Sequence, residues 1–175
     1  MKRGMSMKRL FIDMDGTLAC FYEDAKCLEN MWEPGFFLNL KPYPNIIEAI
    51  HLFIYSHPDV EVGIASSVIT SPYCKEEKDH WIDLYLPEIK RENRFFPPVG
   101  KSKASVLNHI TKEDYLLDDY NNGLDLFIKD GGSAIKFKND INHLGKVGSL
   151  WQGDLIDYEQ PPYAIVKELE KIMEI

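Results

Sequence analysis

The sequence predicts an α/β three-layer sandwich, with a mostly parallel sheet between helical layers and a small helical cap inserted after the first strand. Three observations predict it. Short apolar runs alternate with longer amphipathic stretches along most of the chain, the pattern of strand–helix units. The runs are almost uninterrupted by polar residues, as in strands covered on both faces. Three of them end in acids or serines, and parallel sheets bind their ligands at the carboxyl ends of the strands.

The elements follow in order. Residues 8–14 read as a buried strand, with Leu10-Phe11-Ile12 between a basic start and an acidic end. Residues 19–32 carry apolar side chains at mixed helical spacing and predict a helix stopped by Glu33-Pro34-Gly35. Pro44–Ser56 predicts a helix with proline in its first turn. A second strand follows at 60–66, then a helix over 72–86 with Trp81, Leu84 and Tyr85 on one side. A short strand at 94–96 is closed by Pro97-Pro98, and a helix is predicted over 101–110. Residues 115–117 form a strand ending in Asp118-Asp119, and Asn121–Lys129 a helix closed by Asp130-Gly131-Gly132. A further strand covers 133–137, and a last helix covers 163–173 after Pro161-Pro162. Residues 138–159 show no clear period, and Met1 to Ser6 read as a frayed start.

Length and charge narrow the function classes. At 175 residues the chain has the size of about one domain, taken as residues 1–175 with the cap at about 19–43. The net charge of −8 argues against generic nucleic-acid binding. A local cation or basic site still permits small anionic substrates. Cys20, Cys27 and Cys74 make an odd count without a CxxC pair, the pattern of reduced thiols in a cytoplasmic protein. The apolar run after Met1-Lys2-Arg3 stops at Asp13, too soon for a signal peptide. The most apolar stretch, 46–55, is far below membrane-spanning length.

The polar strand ends suit phosphoryl transfer. In Asp13-Met14-Asp15-Gly16-Thr17 two carboxylates flank one residue where a strand turns into a loop. Asp13 could attack phosphorus and form an aspartyl-phosphate. Asp15 could protonate the leaving oxygen and later take a proton from water. Gly16 permits the sharp turn. Carboxylates at 13, 15, 118 and 119 repel one another unless a cation joins them, and oxygen-only ligands select Mg²⁺. Ser66 and Ser67, ending the second strand, can reach phosphate oxygens. A lysine should neutralise the transferring group, and Lys101 and Lys103 both qualify, with Lys103 opening the helical run directly. A calcium EF-hand loop beginning at Asp13 is excluded, because Leu18 and Asp24 stand where glycine and glutamate are required. Asp118 and Asp119 also suit the start of the following helix. Lys78 reads as a solvated lysine on a charged helix face, and Phe21, Trp32 and Phe36 as either core or base-stacking aromatics. The stretch Asn139 to Asn142 and Trp151-Gln152-Gly153 fall in no recognisable motif.

Asp13-Met14-Asp15-Gly16-Thr17 resembles motif one of the haloacid-dehalogenase-like phosphohydrolases. Ile64-Ala65-Ser66-Ser67 resembles their motif two, and Leu116-Leu117-Asp118-Asp119 their motif four. The resemblance covers roughly residues 8–137 and implies a Rossmann-like sandwich. Within that superfamily the chain is most similar to the 5'(3')-deoxyribonucleotidases and their bacterial relatives. Asp13 through Phe21, Phe36 through Pro44, and Glu77-Lys78-Asp79-His80-Trp81 carry this closer likeness. It implies Mg²⁺ held by Asp13, the backbone carbonyl of Asp15, and Asp119 with support from Asp118. It implies that Ser66 and Lys103 hold the phosphoryl group, that Phe21 contacts a nucleobase, and that Lys78 lies near the phosphate. The implied substrate is a nucleoside monophosphate. Other implied readings are a phosphatase of another small metabolite or of a phosphorylated macromolecule end, and an idle phosphate-binding module. The sequence departs from the family in three places. Ser66 replaces the threonine of the mammalian enzymes, Asn122 and Gly123 stand where a later acid is usual, and about two dozen residues remain for the cap. So small a cap leaves the pocket open or completed by a second copy of the chain.

Overall fold

The computed structural model describes residues 7–142, 144–145 and 150–175; the expected frayed start lies outside them. Six strands are described: β1 (Arg9–Ile12), β2 (Glu61–Ala65), β3 (Arg94–Phe95), β4 (Asp114–Asp118), β5 (Ser133–Lys138) and β6 (Leu155–Asp157). They form one sheet in the order β3-β2-β1-β4-β5-β6, and every pairing is parallel. β1 lies in the middle, with Phe11 in register with Gly63 of β2 and Leu116 of β4. The connections wind outward from β1 in both directions, which opens a crevice at the carboxyl end of β1.

Side chains alternate across the sheet and divide the core in two. Leu10, Ile12, Ile64, Leu117, Ile135 and Phe137 face one way. They pack on α2 (Pro44–Ser56), α3 (Cys74–Tyr85) and α5 (Pro162–Met173), chiefly through Ile46, Ile50, Phe53, Trp81, Ile165 and Leu169. Phe11, Leu116, Ala65 and Ala134 face the other way, onto Leu124 and Phe127 of α4 (Asn121–Lys129). Helices therefore cover both faces, and the three-layer α/β sandwich is the fold. Among the described residues no helix is long and apolar enough to cross a membrane.

Three local expectations need correction. Residues 19–32 do not form one helix: a 3-10 turn at Phe21–Glu23 precedes a four-residue α1 (Cys27–Asn30). Asp24 divides them, because its carboxylate accepts from the Lys26 amide at 2.8 Å and the Asn30 side chain at 2.6 Å. This side-chain turn competes with a continuous helix. The predicted 101–110 helix is only a 3-10 turn, Lys103–Val106. Ser105 there donates its hydroxyl to the Ser102 carbonyl at 2.6 Å, and Leu107 is already extended. β6 lies in the stretch that showed no period, since three residues at a sheet edge are too few to display alternation.

Candidate active site

The site is assembled from the carboxyl ends of β1, β2 and β4. Past β1 the chain turns sharply, with the amides of Leu18 and Ala19 donating to the Met14 carbonyl and the Gly16 amide to the Ala19 carbonyl. Gly16 has φ +80°, and a Cβ there would lie 2.4 Å from Asp119 Oδ2. Glycine is thus required twice, for backbone conformation and for the close approach of a carboxylate. Gly16→Ala is expected to lose about 1–2 kcal/mol of stability from the backbone alone. If the site hydrolyses phosphate esters, the variant should also lower turnover by roughly 100-fold through displacement of Asp119. Urea unfolding and phosphate release measure the two effects.

Asp13, Asp118 and Asp119 are all buried, and one carboxylate oxygen from each falls within 4.8 Å of the others. Lys103 joins two of them, donating to Asp13 Oδ1 at 2.7 Å and Asp118 Oδ2 at 2.6 Å. Burial raises the Asp13 carboxyl to about 7 despite the opposing pull of Lys103; Asp118 and Asp15 push the same way as burial. Burial, then Asp118 and Asp13, hold the Asp119 carboxyl well above its ordinary range. Burial alone would lower the Lys103 ammonium, but Asp118 and Asp13 outweigh it and the net shift is upward. Three acids and one lysine leave an excess of negative charge in a desolvated space, so a hard cation fits the donor set. Asp13 and Asp119 are the natural ligands. Asp118 supports them, since its Oδ2 takes Lys103 and its Oδ1 accepts from the Tyr120 amide at 3.0 Å. Neither acid caps α4: Tyr120 stands at its N-cap without a side-chain cap bond, and the Asp118 bond stops at the amide of Tyr120 itself.

Asp15 points elsewhere. Its Oδ2 accepts from Lys78 at 2.6 Å, while its Oδ1 is buried without a hydrogen-bond partner among the described residues. A buried orphan oxygen beside an acid cluster is the kind of exception that marks a reactive group. The side chain of Asp15 is not one of the three clustered carboxylates.

Lys78 departs from its reading as a solvated lysine. It is fully buried, not solvated, and donates to Asp15, to Ser66 Oγ at 3.0 Å and to the Ser67 carbonyl at 2.7 Å. Its ammonium also lies 4.9 Å from the Phe37 ring centre. Three acceptors satisfy its three protons. Ser66 is buried behind Lys78, whereas Ser67 borders a cavity of about 610 Å³. Asp13, Asp15, Lys103, Asp118 and Asp119 also line that cavity. Lys101 is exposed at its rim; Lys103 is the lysine that reaches the acids.

The 19–43 segment forms one wall of the cavity. Phe21, Tyr22, Leu28 and Met31 line it together with Ile69, Val99 and Leu126. Phe21 packs edge-on against Phe36 at 5.7 Å and stacks on Phe37 at 6.3 Å. Trp32 is 47% exposed and lies off the cavity wall. Glu77 of α3 fastens this segment, accepting from the amides of Gly35 at 2.5 Å and Phe37 at 3.1 Å. Trp81 adds a bond from its indole to the Leu40 carbonyl at 2.8 Å.

Two residues around Asp119 escaped the sequence reading. Lys136, buried on β5, donates to the Asp119 carbonyl at 2.5 Å and to Asn121 Oδ1 at 2.6 Å. Asn139, fully buried just past β5, donates to the Gly16 carbonyl at 2.9 Å and to Asp119 Oδ2 at 3.2 Å. A lysine at the end of a strand is a weak signal, and a lone asparagine in an aperiodic loop is none. No protein-family model matches the chain, and no curated protein matches it.

Proposed function

We propose that the protein is a haloacid-dehalogenase-like, Mg²⁺-dependent phosphomonoester hydrolase, acting on nucleoside monophosphates in the manner of a 5'(3')-nucleotidase. One observation carries the reading: Asp13 with Asp15, Lys103, and Asp119, from three separate segments of the sequence, line one cavity at the carboxyl end of the central strand. The cavity volume of about 610 Å³ suits a small-molecule ligand. Its acidic and basic floor with apolar walls favours an ester with an apolar leaving group, and Phe21, which lines the cavity, would be among the residues that touch it. The odd set of thiols suits a reducing, cytoplasmic setting.

Asp13 attacks phosphorus, its carboxylate oxygen forming the new bond while the bond to the ester oxygen breaks. Asp15 gives its proton to that departing oxygen. Asp15 then takes a proton from the water that attacks the aspartyl-phosphate, and Asp13 is released with inorganic phosphate. Lys103 screens Asp13 and offers positive charge to the phosphoryl oxygens. Lys78 holds Asp15 in place from the opposite side. Asp13 and Asp119, with the Asp15 carbonyl, would hold Mg²⁺, which supplies positive charge that lets an anionic nucleophile approach an anionic ester.

Phosphate release from a panel of esters, with Mg²⁺ and with EDTA, tests the proposal. The panel holds 5'- and 3'-deoxynucleoside monophosphates, sugar phosphates and an aryl phosphate. The expected result is metal-dependent turnover, highest on the deoxynucleotides and lost in EDTA. Highest turnover on sugar phosphates would overturn the nucleotide assignment, and no turnover of any ester would overturn the chemistry.

A further inference from the structure

We infer that Asn139 is a positioning residue for the cation site, fixing the Asp119 carboxylate against the loop after β1 so that it meets Mg²⁺ already oriented. The inference rests on the phosphohydrolase reading. An asparagine side chain has two amide protons and one carbonyl oxygen with two lone pairs. Here all four are used. The protons go to the Gly16 carbonyl at 2.9 Å and to Asp119 Oδ2 at 3.2 Å. The oxygen accepts from the amides of Ile141 at 2.9 Å and Asn142 at 2.6 Å. One buried side chain therefore ties together three segments: the loop after β1, the end of β4 and the turn after β5.

The same turn brings up a second amide. Asn142 Nδ2 also donates to Asp119 Oδ2, and its side chain hydrogen-bonds Tyr22 on the cavity wall. Both asparagines thus end on one oxygen of Asp119, which sets the rotation of the carboxylate; among the described residues its other oxygen accepts no hydrogen bond. Lys136 holds the main chain of the same residue. A carboxylate that had to find its orientation on binding would lose part of the interaction to ordering. Partners behind metal ligands are commonly worth about 10- to 100-fold in affinity for this reason.

Calorimetric titration of Mg²⁺ into metal-free protein tests the inference, with wild type, Asn139→Ala and Asn139→Ser compared. The serine variant retains an oxygen to accept from the amides of the turn but lacks the amide donors, so it separates support of the turn from support of Asp119. The expected result for both variants is a Mg²⁺ Kd raised about 10- to 100-fold. The serine variant should lose less metal-free Tm than the alanine variant, because it keeps the acceptor for the turn, and at saturating Mg²⁺ it should keep an unchanged KM for the ester. Wild-type Mg²⁺ affinity in Asn139→Ser would overturn the inference. So would a fall in its metal-free Tm without a change in Kd, which marks a purely structural role. Wild-type protein that binds no Mg²⁺ would overturn the phosphohydrolase reading, and the inference with it.

Discussion

Asp13→Asn is expected to abolish turnover, by about 10⁴-fold or more, and to leave the metal-free protein at least as stable as wild type. The first part follows because an amide is not a competent nucleophile toward phosphorus. The second follows from electrostatics. Burial raises the Asp13 carboxyl to about 7, so its ionised form is unfavourable in the folded chain. In the unfolded chain the same group ionises near its ordinary value of about 4. The folded state therefore binds the proton more tightly, and stability falls as pH rises from about 4 to about 7. Asparagine removes that penalty and keeps an oxygen to accept from Lys103. The Tm advantage of Asp13→Asn in EDTA should be largest at pH 8 and shrink toward pH 4. A variant that keeps wild-type turnover would remove Asp13 from the mechanism, and a collapse in Tm at pH 8 would refute the charge argument.

Lys103→Met should do the opposite to stability. Methionine roughly matches the lysine stem but removes the cation that joins Asp13 to Asp118. Two buried carboxylates are left facing each other. Breaking a buried pair on one side typically costs about 3–5 kcal/mol, and protonation of Asp13 can relieve part of this. The loss in urea unfolding should therefore be large at pH 8 and smaller at pH 5. Turnover should fall by roughly 10²–10³-fold, as when a charge-stabilising donor is removed from a transition state. The double variant with Asp13→Asn should be less destabilised than the two single effects predict, because the groups touch. Strict additivity would show that the contact contributes little.

The sequence and the structure agree where a residue's role shows in its immediate neighbours. Leu10-Phe11-Ile12 before Asp13, and Leu116-Leu117 before Asp118, announce buried strands with polar ends, and the structure brings those ends together. Agreement fails where the partner is remote. Lys78 lies among Lys75, Glu76, Glu77, Asp79 and His80, which reads as a wet face. Yet Cys74, Lys78, Trp81 and Ile82 are all buried. These positions recur at i, i+4, i+7 and i+8, the stripe of an inward helix face. That spacing was available; the charge hid it. Asn139 offered no comparable sign, because its partners at Gly16 and Asp119 are defined only by the fold. The 19–32 misreading has a local cause, since periodicity does not register that one carboxylate, Asp24, can close a turn on itself.

Glu77 and Lys78 are consecutive residues on α3, and they reach in different directions. The first grips the backbone of the 19–43 segment, and the second grips Asp15 and the strand end at Ser66 and Ser67. One turn of helix is thus a common datum for the apolar cavity wall and the cluster of acids. An engineer wishing to exchange the short wall for a larger one would find the graft points easily, because the segment is a contiguous insertion. The replacement must nevertheless present free amides to Glu77, as Gly35, Phe37 and Leu38 do here. A graft that does not will float relative to the acid, however well its own pocket is shaped. What looks modular along the chain is a single gauge in three dimensions.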